Sequence, residues 1–256
     1  MILTVDAGNA NIVLGGFADD KLQFISRLDT IVSRTEDQYA VLLKDILALY
    51  GHTPDNVSGC IISSVVPPVT ARLERGIEKI CGVKPLVVLP GLKTGLNIKI
   101  DDPSTLGSDL VCAAVAAKSK YALPCIFADI GTCLKIGAID KNGAMLGCVI
   151  APGINTAFEA LAEKTASLPL IDAQPVENII GTNSIDSMRS GVIAGMACMI
   201  DGMAERFEEI LGAQATTIAT GDSARYVVPL CRREIVSDPH LVLEGLNIIY
   251  NKNQKK

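Results

Sequence analysis

The sequence predicts an α/β fold built from two related halves. Strands and amphipathic helices alternate along the chain, the pattern of that class. One strand–turn–strand design also occurs twice. The first copy is Ile2-Leu3-Thr4-Val5-Asp6-Ala7-Gly8-Asn9-Ala10-Asn11-Ile12-Val13-Leu14-Gly15-Gly16. The second is Cys125-Ile126-Phe127-Ala128-Asp129-Ile130-Gly131-Thr132-Cys133-Leu134-Lys135-Ile136-Gly137. In each, an apolar run reaches a carboxylate, a small turn follows, and a second apolar run leaves it. Asp129 matches Asp6, Gly131 matches Gly8 and Thr132 matches Asn9. Either copy alone reads as a plain hairpin, because Asp and Gly are ordinary turn residues. Two copies with matched flanks predict two domains facing one cleft.

The elements follow in order. Thr35-Glu36-Asp37-Gln38 is a capping-box pattern. Behind it Tyr39, Leu42, Leu43, Ile46, Leu47 and Tyr50 recur at helical spacing, and Gly51 ends the helix. Gly59 to Val66 is an apolar run of strand length stopped by Pro67 and Pro68. Val69 to Ile80 predicts a helix and Pro85 to Pro90 a short strand. Asp102 to Asp109 is a loop entering an Ala- and Val-rich helix over Leu110 to Lys118, with Ser108 as the expected N-cap. After the second hairpin, Gly147 to Gly153 leads into a helix through Leu161. One helix is expected over Ser184 to Leu211, a strand and glycine turn over Ala215 to Asp222, and a last helix over Leu241 to Tyr250. The domains divide near residues 115–124, giving 1–118 and 119–256.

Composition narrows the function classes. The chain has 256 residues, 49% hydrophobic and 20% charged, enough for a large core. No apolar run is long enough to cross a bilayer, and no basic leader precedes the first strand, so no membrane role is expected. The net charge is −5 without a Lys/Arg cluster, which argues against nucleic acid. Eight cysteines are scattered without a C-x-x-C pair, which makes zinc binding improbable and buried reduced thiols the default reading. The two histidines, His52 and His240, lie in loop contexts and support no triad.

The first hairpin carries the strongest chemical signal. A turn with Gly8 between small residues lets backbone N–H groups approach an anion. A carboxylate at its mouth suits Mg²⁺, which takes few protein oxygens and shares itself with phosphate. The pair of hairpins therefore points to a nucleoside triphosphate site.

An ordered series of segments extends this reading across nearly the whole chain. It comprises Asp6 to Asn11, Arg34 to Tyr39, Ser63 to Pro67, Lys93 to Leu96, Gly107 to Asp109, Asp129 to Thr132, Pro152-Gly153, Thr165 to Pro169, Ala219 to Gly221 and Leu243 to Leu246. The series resembles type III pantothenate kinase, of the acetate kinase, hexokinase and actin superfamily. The resemblance implies two ribonuclease-H-like (actin-like ATPase) domains, mixed sheets flanked by helices, with a nucleotide cleft between them. It implies a cytoplasmic homodimer that phosphorylates pantothenate with ATP and Mg²⁺ and requires K⁺ or NH₄⁺.

The resemblance also assigns roles. Asp6, Ala7, Gly8, Asn9, Ala10, Asn11, Ile12 and Val13 would wrap the phosphates, with Asp6 holding Mg²⁺ directly or through water. Thr132 would add a second phosphate contact, and Asp129 would bind the monovalent cation. Asp109 would be the general base; Asp in a first helical turn also stabilises the helix in its own right. Ile100, Gly107, Ser108, Asp109, Leu110 and Ser184 fall at substrate positions, Ser184 being equally readable as a helix cap. Leu110 stands where the family has Arg, and Ile100 where it has Tyr. Lys135 replaces a Thr, Gly137 an acidic residue and Asp222 a Gly. A diverged member that binds nucleotide with weak or altered activity is the competing reading. An unrelated sugar or acetate kinase of the superfamily fits the hairpins but not the other segments.

Overall fold

Both acidic turns close hairpins in the computed structural model, which describes residues 1–254. The strands and helices of the first stretch are β1 (Ile2–Ala7), β2 (Asn11–Ala18), β3 (Lys21–Asp29), α1 (Glu36–Leu49), β4 (Gly59–Ser64), α2 (Pro67–Cys81), β5 (Leu86–Val87), β6 (Asn97–Ile98) and α3 (Ser108–Lys120). The rest of the chain forms β7 (Cys125–Ile130), β8 (Cys133–Ile139), β9 (Ala144–Pro152), α4 (Ile154–Lys164), α5 (Ser184–Arg189), α6 (Gly195–Leu211), β10 (Thr216–Thr220), α7 (Ala224–Val227), β11 (Val236–Ser237) and α8 (Leu241–Gln254).

The duplication extends from the hairpins to whole sheets. The first sheet has the order β3-β2-β1-β4-β5, and the second has β11-β10-β7-β8-β9-β6. In both, the strand bearing the acidic residue is central. β1 pairs antiparallel with β2 and parallel with β4. β7 pairs antiparallel with β8 and parallel with β10. Read from the meander, the second sheet repeats the first and adds β6 beside β9. The α/β class with mixed sheets flanked by helices is the observed one.

The chain divides into two compact units. One comprises Met1–Gly95, Asp102–Ala116 and the chain from Leu241 onward; the other comprises Leu96–Asp101 and Ala117–His240. A division at 118/119 leaves the last helix with the second half. In the structure α8 instead packs on β1 and β4 of the first sheet.

In the first unit, helices cover both faces of the sheet. Leu3, Val5, Ala7, Cys60 and Ile62 share a core with Leu43 and Leu47 of α1 and Leu73 and Ile77 of α2. Alternation sends Thr4, Asp6, Ile61 and Ser63 to the opposite face. There Leu243 of α8 approaches Gly15 and Tyr250 approaches Gly59. In the second unit, Ile126, Ala128, Ile130, Leu134 and Ile136 bury one face against Phe158 of α4 and Met196, Ala197 and Ile200 of α6.

Several elements differ in detail from expectation. The capping box forms as read, with the Thr35 hydroxyl accepting from the Gln38 amide and the Gln38 side chain accepting from the Thr35 amide. Ser108 is not a cap; it is the first residue of α3, and its hydroxyl is engaged elsewhere. Asn183, not Ser184, caps α5 through the Asp186 amide. The single helix expected over Ser184 to Leu211 is helical throughout but carries a π-helical stretch, Ser190–Ala194, between α5 and α6. All eight cysteines are free thiols. Only Cys60, Cys112 and Cys125 are fully buried, and Cys198 is exposed.

Candidate active site

The first hairpin, β4 and the start of α3 build one constellation. Asp6 is on the last turn-side stretch of β1 and pairs in register with Ser63 near the end of β4. Ser63 is fully buried, and its hydroxyl lies 3.0 Å from that of Ser108. The Ser108 hydroxyl also accepts from the Ser64 amide at 3.0 Å and donates to the Ser64 carbonyl at 3.2 Å. The start of α3 is thus fastened to the end of β4, and Asp109 follows one residue later. Asp6 and Asp109 both act on the thiol of Cys112. Burial pushes that thiol well above its ordinary pKa, the two carboxylates add to the rise, and a hydrogen bond with Ser63 opposes it. The thiol is therefore protonated and no nucleophile. This places both acids at the carboxyl edge of two parallel strands, where open α/β sheets bind ligands.

The turn after Asp6 is held from three sides. The Gly8 amide donates to the Asn11 carbonyl at 2.9 Å and closes it. Thr30, just past β3, donates its hydroxyl to the Gly8 carbonyl at 2.7 Å and its amide to the Ala10 carbonyl at 2.9 Å. The Val65 amide donates to the Ala7 carbonyl at 3.1 Å. Asn9 and Ala10 at the tip remain exposed, while Ile12 is fully buried and anchors the returning strand. A rigid turn with an exposed tip can present amides to phosphate without reordering.

Asp109 is shaped by its neighbours. Its Oδ1 accepts from the Leu110 amide at 2.8 Å. A Cβ on Gly107 would come within 2.5 Å of that same oxygen. Gly107 therefore leaves the room in which the carboxylate sits. Leu110 is 3% exposed, so its side chain is core and offers no contact to a ligand in this conformation.

The remaining predicted positions lie in the second unit. Ile100 is in the segment Leu96–Asp101 and half-buried; Ser184 is exposed at the start of α5. Thr132 is at the tip of the second hairpin, where its carbonyl accepts from the Gly153 amide at 3.0 Å and the Thr156 hydroxyl at 2.8 Å. Asp129 is the penultimate residue of β7 and faces Lys135 directly across the β7–β8 pair. The lysine Nζ donates to Asp129 Oδ2 at 2.8 Å, with the two side chains only 19% and 15% exposed. Phe127 likewise faces Gly137, and a Cβ at 137 would meet the Phe127 ring at 2.4 Å. The ring fills the space that an acidic side chain at 137 would need.

Metal chemistry divides between the hairpins. Among the described residues, no three His, Cys, Asp or Glu side chains converge to form a protein cage. Mg²⁺ needs none, since one carboxylate with phosphate and water oxygens suffices, and Asp6 fits that donor set. Its cross-strand partner is Val13, which brings no competing charge. Asp129 does not fit a monovalent cation in the same way, because an ammonium already sits on its carboxylate.

Ser63, Thr30 and the partner of Asp129 escaped sequence reasoning. Ser63 opens the segment Ser63 to Pro67 but was given no role; its polar character at the end of a buried strand was the available signal. The Asp129–Lys135 pairing was readable by counting outward from the turn, since both residues stand three positions from Thr132.

Comparison with known proteins identifies the family. The family model described as "Type III pantothenate kinase" matches residues 2–206. The type III pantothenate kinase of Bacillus cytotoxicus is 39% identical over 253 residues, spanning 99% of this chain and 97% of the relative. That of Halalkalibacterium halodurans is also 39% identical over 253 residues, spanning 99% of this chain and all of the relative. Among solved structures, component A of the (R)-2-hydroxyglutaryl-CoA dehydratase of Acidaminococcus fermentans superposes with a TM-score of 0.58 at 15% identity, covering 99% of both chains; this likeness concerns the fold alone. With its sheets duplicated and its acidic turns in place, the chain belongs to the type III pantothenate kinase family.

Proposed function

We propose that this chain transfers the γ-phosphoryl group of ATP to the primary hydroxyl of pantothenate, giving 4′-phosphopantothenate and ADP at the entry to coenzyme A synthesis. Family membership supports the reaction. The observation that carries it into the structure is the coupling of Asp6 to Asp109 through Ser63 and Ser108. Phosphoryl transfer requires alignment and charge neutralisation more than covalent chemistry. The braced turn from Asp6 to Val13 would hold the phosphates, and Thr132 is assigned as a further phosphate contact. Asp6 would hold Mg²⁺, which would supply charge neutralisation at the phosphates. Asp109 would accept the hydroxyl proton, and a base in hydrogen-bond reach contributes about 10²–10⁴-fold.

Gly107 and Ser108 would meet substrate through backbone groups, since the Ser108 hydroxyl is committed to Ser63 and Ser64. Ile100 and Ser184 are assigned as further substrate contacts. Leu110 would act by packing, setting the direction of the Asp109 backbone from within the core. Among the described residues no helix is long and apolar enough to cross a membrane. A cytoplasmic homodimer completes the reading, and light scattering of the purified chain measures the dimer.

A coupled assay of ADP release tests the function. With ATP and Mg²⁺ saturating, ADP should form only when pantothenate is added, at a kcat on the order of 1–100 s⁻¹. ADP release indifferent to pantothenate would overturn the assignment.

A further inference from the structure

The two acidic hairpins share a topology but not a charge. Across the strand from Asp6 stands Val13, and across from Asp129 stands Lys135. Directly opposed residues of an antiparallel pair lie on one face with their Cβ atoms about 5 Å apart. Sheet register therefore brings the Asp129 and Lys135 side chains together on one face. The 2.8 Å separation and the low exposure of both side chains make their ion pair a partly desolvated, charge-assisted contact. We propose that the Lys135 ammonium is a built-in monovalent cation for the second hairpin, replacing an exchangeable K⁺ or NH₄⁺ on Asp129.

The argument is one of competition for a single carboxylate. A cation ligated by Asp129 would have to share a carboxylate whose Oδ2 already accepts from Nζ and whose charge is already compensated. Two positive charges on one partly buried acid also repel each other at short range. Lysine suits the task, being a compact point charge on a flexible stem. The neighbouring position closes the alternative: Gly137 lies under the Phe127 ring, so no second carboxylate is supplied from there. The tether also removes the binding equilibrium. A fixed ammonium stays at the hairpin at any salt composition, whereas a free ion must be present in excess of its dissociation constant.

The first test needs no substrate and so does not rest on the kinase reading. Thermal unfolding of the full chain is measured in KCl, NH₄Cl and choline chloride at equal ionic strength. The unsubstituted protein should unfold at the same temperature in all three. Lys135→Met, which keeps the stem and removes the charge, should unfold lower in choline. It should regain on the order of 5 °C in saturating K⁺. That gain should vanish in the Asp129→Asn, Lys135→Met double variant. Lys135→Gln serves in the same way should the Met variant fail to fold. A saturable, K⁺-specific stabilisation of the unsubstituted protein would overturn the proposal. A K⁺-indifferent Lys135→Met or Lys135→Gln would overturn it as well. The activity arm rests on the kinase reading: ADP release by the unsubstituted chain should be equal in K⁺ and choline, and that of Lys135→Met should depend on K⁺. Strict K⁺ dependence of the unsubstituted chain would again refute the tethered cation. Absence of turnover in every salt would refute the kinase reading, with the lysine still judged by the unfolding data.

Discussion

Asp109→Asn should lower kcat by about 10²–10⁴-fold while leaving the fold intact. Asn is close in size, and its side-chain oxygen can still accept from the Leu110 amide as Asp109 does at 2.8 Å. What it loses is basicity. The drop corresponds to roughly 3–5.5 kcal/mol of transition-state stabilisation. At the helix start, the lost interaction of a charge with the dipole is worth about 0.3–1 kcal/mol. The KM for ATP should stay close to its original value, because the phosphates are assigned to the Asp6 turn. Steady-state kinetics beside a melting curve checks all three statements. A variant with undiminished kcat would reduce Asp109 to a helix-stabilising residue.

Gly245→Ala should be the most damaging single methyl group among the glycine positions of the first unit's helices. A Cβ there would stand 1.9 Å from the carbonyl oxygen of Cys112 and 2.6 Å from its carbon. These are backbone atoms of α3, so no side chain can swing aside, and α8 and α3 must separate. Overpacking of this kind costs about 3 kcal/mol or more. The apparent melting temperature should fall by roughly 6–12 °C. Activity should fall with it, because Asp109 lies on the same helix, one turn before Cys112. Gly202→Ala is the matched control: no atom lies within 4 Å of its Cβ position, and it sits inside α6. Alanine there should raise stability by up to about 1 kcal/mol through helix propensity. Differential scanning calorimetry of the two variants separates the close contact from a general effect of alanine.

Much of this architecture was legible in the sequence where pattern and chemistry agreed. The strand over Gly59–Ser64 carries the apolar stretch Cys60–Ile62 and is followed by a proline stop, α1 carries its capping box, and the acidic turns announce both central strands. β3 was not legible, because it is an edge strand whose residues other than Phe24 are partly or fully exposed, so its alternation is blurred. That omission hid a piece of the site, since Thr30 at its end braces the phosphate turn. β5, β6 and β11 are two residues each and carry no period to read. The π-helical stretch has helix on both sides and no proline to mark it. The placement of α8 on the first sheet is a tertiary choice: Gly245 permits it, but nothing local in the helix names its partner.

The candidate site shows the same division. Asp6 was nominated by its hairpin and Asp109 by resemblance, and the structure supplies the link between them through Ser63 and Ser108. Asp129 was nominated as a cation ligand by resemblance alone. Its cross-strand lysine stands in the same hairpin, and register pairs the two. Reading register outward from a short turn would have found it.

The most direct measurement is a crystal structure of the chain with Mg²⁺, a non-hydrolysable ATP analogue and pantothenate. The account predicts the analogue's phosphates on the turn from Asp6 to Val13. It also predicts the primary hydroxyl of pantothenate within about 2.6–3.2 Å of an Asp109 carboxylate oxygen. A ternary complex with the hydroxyl out of reach of Asp109, or with phosphates that leave the Asp6 turn untouched, would contradict it.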